Sequence, residues 1–184
     1  NREHLLYNIW LMGNRAIEAG SKDSWTVTPK MVEAAKAGAK ATKGLAGAKE
    51  FQRYFRDQAK RDPRGYVIPV EQHDFLTATK FVNALIGTGV TVHRAKDDFT
   101  IAGKRYAKGS YVVKCAQAYR AHVLDMFEPQ DHPNDFAYPG APPTPPYDMA
   151  GWTLAYQMGV QFDRILDSFD GPFEALEREI PPPP

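Results

Sequence analysis

Cys115, the only cysteine, has the side-chain type and position of a nucleophile, because it ends the run Tyr111-Val112-Val113-Lys114. A nucleophile at a strand end acts when a sharp turn lifts it toward a helix N-terminus. That turn needs small residues on both sides, as in G-x-S-x-G. Here the flanks are Val113 and Gln117, which leave no room for such an elbow, so a structural thiol is expected. Ser110 offers no elbow either, since Tyr111 and Val112 follow it within the strand. A hydrolase or amidotransferase built on Cys115 would need His93 or His122 within hydrogen-bond reach of the sulfur, about 3 to 4 Å.

Metal chemistry asks for a different pattern. The five histidines, at 4, 73, 93, 122 and 132, include His122 with Asp125 at i, i+3, but neither H-x-x-E nor H-E-x-x-H occurs. That pair reads as a solvated or hydrogen-bonded helix pair, and no metal site or cofactor is expected in the chain. Asp131-His132-Pro133-Asn134-Asp135 crowds carboxylates and an imidazole into a proline-rich loop that could hold a ligand; Asx residues shaping turns are the other reading. With Tyr138, Tyr147 and Trp152 as stacking faces and Asp131 or Asp135 as polar contacts, the same stretch could bind a sugar or a peptide. Glycine motifs fail on spacing. Gly87-Thr88-Gly89 is followed by Val92 where a dinucleotide fingerprint needs a third glycine, and Gly44 by Leu45 where a phosphate loop needs Lys. Lys30, Lys36, Lys40, Lys43 and Lys49 have no aromatic interleaving and read as a solvated helix face.

The whole chain sets the bounds. Its 184 residues are 43% hydrophobic and 24% charged, enough for one sizeable core and against wholesale disorder. With 23 Lys+Arg against 22 Asp+Glu the net charge is +1, which offers no field for nucleic acid. No apolar run approaches the roughly 18 residues of a membrane helix. One cysteine cannot form an internal disulfide or a thiolate zinc cage. The first residue is Asn1 and the pattern turns amphipathic within five residues, without a signal peptide's regions, so a piece cut from a longer chain is expected. Pro181, Pro182, Pro183 and Pro184 read as an extended tail.

The elements that position these groups follow from periodicity. Leu5, Leu6, Ile9, Met12, Ala16 and Ile17 predict a helix over 3–19 closed by Gly20. Residues 23–28 are expected extended, and Pro29 to start a helix. Gly38, Gly44 and Gly47 argue against one unbroken helix over 30–49. Phe51, Tyr54 and Phe55 suggest helix again, ending near Asp62-Pro63. A strand over 66–70, a helix from Phe75 through Ile86 and a strand over 90–93 make a βαβ unit, which predicts an at least partly parallel sheet. A hairpin is expected over 99–106, a strand over 111–114 and a helix over 118–127. Seven of the fifteen prolines fall within 129–146, so a long loop follows over 129–147. Asp148 should cap a helix over 149–158 closed by Gly159, followed by a strand over 160–165 and a short helix over 173–180. The expected organisation is a helical lead-in over 1–64, an α/β domain over 65–170, and a short helix with its polyproline tail over 171–184.

Several segments together resemble one family. NREHLLYNIWLMGNRAIEAG at 1–20, GYVIP at 65–69, GVTVHRA at 89–95, the AGKRYAKGSYVVK run within 99–114, MFEPQDHPND at 126–135 and PPYDMAGWTLAYQMGV at 145–160 look like the C-terminal part of large bacterial zinc carboxypeptidase-like proteins, relatives of carboxypeptidase A. The resemblance implies a class I glutamine amidotransferase-like fold without that chemistry, in agreement with a mostly parallel, flavodoxin-like sheet flanked by helices. It implies a peptidase domain upstream, with zinc bound there, as the partner of this piece, and a periplasmic or secreted home. No stretch here matches the family's zinc ligands, its Glu base or its Arg. The expected role is therefore a non-catalytic accessory domain, with residues 128–147 and the first helix as contact surfaces.

Overall fold

The computed structural model describes residues 1–41, 44–130, 132, 135–146 and 152–181. Its helices are α1 (Arg2–Ser21), α2 (Pro29–Ala41), α3 (Gly44–Tyr54), α4 (Phe75–Gly87), α5 (Arg120–Phe127) and α6 (Leu154–Gln157). Its strands are β1 (Gly65–Ile68), β2 (His93–Ala95), β3 (Phe99–Ile101), β4 (Lys104–Tyr106), β5 (Tyr111–Lys114), β6 (Asp163–Ile165) and β7 (Phe173–Ala175). The chain divides into two units, one of Asn1–Asp23, Pro63–Glu128 and Thr153–Pro184, the other of Ser24–Asp62 and Pro129–Trp152.

In the first unit, alternation along the strands builds two apolar layers. Tyr66 and Ile68 of β1, with Tyr111, Val113 and Cys115 along β5, face one core, and Val67 and Val112 face another. The first core is closed by α4, which buries Ala78, Phe81, Val82 and Leu85 at i, i+3, i+4 and i+7, and by Val123, Met126 and Phe127 of α5. Asp74 caps α4 by accepting the Thr77 N–H at 2.9 Å. The second core lies under the β3–β4 hairpin through Phe99, Ile101 and Tyr106. The hairpin turns at Ala102 and Gly103, with φ of 49° and 79°, the left-handed pair that matches strand twist in a two-residue loop.

The five-stranded sheet has the order β6-β1-β5-β2-β7, and every neighbouring pair in it is antiparallel. This overturns the mostly parallel, flavodoxin-like or glutamine amidotransferase-like fold expected from sequence. β1 and β2 do run in one direction on either side of α4 in the chain. β5, however, lies between them, antiparallel to both, so the strand-helix-strand pattern is present without a parallel hydrogen-bonded pair.

Boundaries also move. The second strand is His93–Ala95 rather than 90–93; Val90 and Val92 are buried ahead of it. Residues 173–175, expected to be helical, form β7 and satisfy the outer backbone edge of β2. The expected cap Asp148 lies outside the described residues. Among the described residues, the helix of that region is α6, preceded by Thr153 at a left-handed φ of 52° that does not propagate helix.

The second unit carries α2 and α3. The Asp62 carboxylate is buried and accepts from Thr26 N–H at 2.9 Å, Thr26 Oγ1 at 3.0 Å and Ser24 Oγ at 3.2 Å. The Trp25 indole N–H donates to the Asp57 carbonyl at 2.8 Å.

Candidate functional site

Of the loop residues singled out by sequence, Asp131, Asn134 and Tyr147 lie outside the described residues, while His132, Asp135, Tyr138 and Trp152 are described. His132 Nε2 lies 3.0 Å from the Thr144 carbonyl; a carbonyl only accepts, so this nitrogen carries the proton. The Thr144 N–H donates to the Asp135 carbonyl at 2.8 Å, so one threonine ties both residues to the return strand of the loop, where Phe136 and Pro143 form a β-bridge. Phe136 and Tyr138 expose their rings and Trp152 is half-buried. Among the described residues, no three His, Cys, Asp or Glu side chains converge as metal ligands.

Cys115 is fully buried within the first core, with its N–H on the Arg64 carbonyl at 2.9 Å. His122 is half-buried on α5, and its Nε2 lies 3.0 Å from Thr88 Oγ1. A thiol sealed inside the core cannot be reached by a substrate, so Cys115 is a core residue.

The least expected feature of the first unit is α1. A surface helix normally buries its apolar stripe. Here Leu5, Leu6, Ile9, Trp10, Met12 and Ile17 are exposed, from 43% at Ile17 to 70% at Met12, and only Gly20 of the helix is buried. Small residues seat its C-terminal half. A Cβ on Gly20 would collide with the Cys115 carbonyl, whereas one on Gly13 would lie 3.5 Å from the Ala118 methyl. The larger residues of the preceding turns are left in water. Periodicity located this stripe in the sequence; its exposure depends on how little of the fold lies beside it.

Two further clusters were not read from sequence. Glu128, at the end of α5, accepts from the Tyr66 hydroxyl at 2.7 Å and from Arg164 Nε at 2.9 Å. Burial, chiefly, and the Glu128 charge push the Tyr66 phenol far above its ordinary value, so it remains a donor. Beneath β2 and β5, Lys114 Nζ holds Asp170 at 2.9 Å and lies 5.9 and 5.6 Å from the Phe169 and Phe173 ring centroids. Burial holds the nearby His93 imidazole below its usual value and the Lys114 charge adds to this, against a hydrogen bond with the Val112 backbone and the Asp170 charge. These groups come from segments tens of residues apart, so no local spacing signals them.

Among the described residues, no helix is long and apolar enough to cross a membrane. Comparison with family models, with curated proteins and with solved structures returned no match.

Proposed function

We propose that the chain is a non-catalytic accessory module of a zinc carboxypeptidase-like protein, periplasmic or secreted, and that the apolar face of α1 docks it on the peptidase domain of that protein. The observation that carries this reading is the row Leu5, Leu6, Ile9, Trp10 and Met12 exposed on one helix. A patch of this kind marks an interaction surface. A helix of 20 residues is about 30 Å long, which suits the laying of an apolar helix face into a groove. The family-like segments supply the identity of the partner. The donors described in this chain do not fit zinc, so on this reading the metal is held by the peptidase domain. The burial of Cys115 argues against the hydrolase or amidotransferase alternative.

The test is to mix the chain with the separately expressed peptidase domain and to assay the chain alone for carboxypeptidase activity. A one-to-one complex and an inactive isolated chain are expected. Chelator-sensitive activity in the chain alone would overturn the non-catalytic role, and the absence of a complex would overturn the docking role. A second reading, a sugar- or peptide-binding module, draws on the exposed Phe136 and Tyr138 rings beside His132 and Asp135. It predicts binding to cell-wall fragments that an Asp131→Ala, His132→Ala double variant loses.

A further inference from the structure

Arg94, Lys96 and Lys108 converge on one open cleft of about 470 Å³ in the first unit, whose floor is Ala95 and Gly109 and whose remaining wall is Glu174. Arg94 and Lys96 lie two residues apart along β2 and its continuation, so they share a face of the sheet. Glu174 of β7 stands opposite Arg94 in register.

The floor is held by backbone hydrogen bonds. The Gly109 N–H donates to the Ala95 carbonyl at 2.9 Å, Ala95 N–H to the Ser110 carbonyl at 2.9 Å, and Lys96 N–H to the Pro172 carbonyl at 2.8 Å. Gly109 adopts φ +91°, and Val70 Cγ1, Arg94 Nη2 and Arg94 Nε lie 3.3, 3.7 and 3.9 Å from where a Cβ would stand. The absent side chain thus leaves the guanidinium beside Gly109.

The charges of the cleft do not cancel internally. Lys104, Arg105 and Lys114 each hold a carboxylate within 2.9 Å, whereas among the described residues Arg94 and Lys96 hold none. Lys108 feels the Asp98 carboxylate, which accepts its backbone N–H at 2.8 Å and also binds Arg105. Glu174 is the one carboxylate lining the cleft.

We infer that this cleft is a binding site for a small molecule bearing a phosphate or carboxylate group together with a hydroxyl or amine. An arginine fork matches either oxyanion with two parallel hydrogen bonds, and the two lysines add compact point charges. Glu174 accepts only, so it takes the hydroxyl or amine of the same ligand. The volume is that of an ordinary small-molecule site. This inference does not rest on the docking role of α1 and survives its failure.

The test follows amide resonances of the whole chain by NMR while inorganic phosphate or malate is added, which separates the two oxyanion sources. Saturable shifts at Ala95, Lys96 and Gly109 are expected with at least one probe. Arg94→Gln should weaken binding by about tenfold or more, as the loss of a charge-assisted fork implies. Lys104→Gln removes one surface charge that is paired with Asp163 and does not line the cleft, and should leave affinity unchanged. Glu174→Gln should tighten inorganic phosphate by removing a like charge, and should weaken malate relative to phosphate. The same spectra report whether each variant is folded. Non-saturating shifts with both probes, or equal affinity in the wild type and Arg94→Gln, would overturn the inference.

Discussion

The Tyr66 hydroxyl, on a side chain with no solvent exposure, donates to Glu128 Oε1 at 2.7 Å, while Arg164 Nε reaches the same oxygen at 2.9 Å. One carboxylate thereby joins β1, the β6 edge of the sheet and the end of α5. The Tyr66 ring is stacked on Phe127 at a centroid distance of 4.1 Å, so the hydroxyl cannot turn to water without breaking that packing. Glu128→Leu should cost about 1–3 kcal/mol, the penalty of a buried donor left without an acceptor. Tyr66→Phe should cost less, about 0.5–1.5 kcal/mol, and the double variant should fall short of the sum. Denaturant unfolding of the four proteins measures the coupling; strict additivity would remove Glu128 from this role.

Two glycines of α1 should respond with opposite signs. Gly20→Ala places a methyl group against the Cys115 backbone and should destabilise by about 1–3 kcal/mol, the range for overpacking. Gly13→Ala meets only an ordinary contact with Ala118 and should stabilise by about 0.5–1 kcal/mol through lower chain entropy in the unfolded state. Equal effects of the two substitutions would mean that the helix is not seated through Gly20.

His93 predicts a pH dependence of stability. Its folded-state value lies below the ordinary imidazole value, so the unfolded chain takes up the proton first as the pH falls. The contribution is therefore complete above about pH 6.5 and is lost as the pH drops through the depressed value. Lys114→Met should raise the His93 midpoint and Asp170→Asn should lower it further, because the first removes a repelling charge and the second an attracting one. Imidazole titration by NMR reads both signs, and His93→Gln should flatten the stability profile in that window. A wild-type midpoint at or above about 6.5 would contradict the account.

What could be read in advance divides by range along the chain. Phe75 through Leu85 announced α4 because its periodicity is local, and the hairpin around Ala102-Gly103 was equally local. The sheet was misjudged because its order depends on β5 entering between β1 and β2, a pairing of Val112 with both Val67 and His93 that no neighbouring residue encodes. Phe173, Glu174 and Ala175 have no strong strand signal of their own and became a strand because β2 offered them an edge. The same holds for sites. The crowding of His132 and Asp135 was visible as adjacent letters, whereas Arg94, Lys108 and Glu174 meet only after folding.

The most direct measurement of the central claim is the calorimetric affinity of the chain for the peptidase domain, compared with an Ile9→Glu, Met12→Glu variant. Both residues are among the most exposed on α1, so the variant should keep its melting temperature. The account predicts a loss of affinity of about a hundredfold or more, as for removal of a hydrophobic hot spot. Unchanged affinity with an unchanged melting temperature would contradict it.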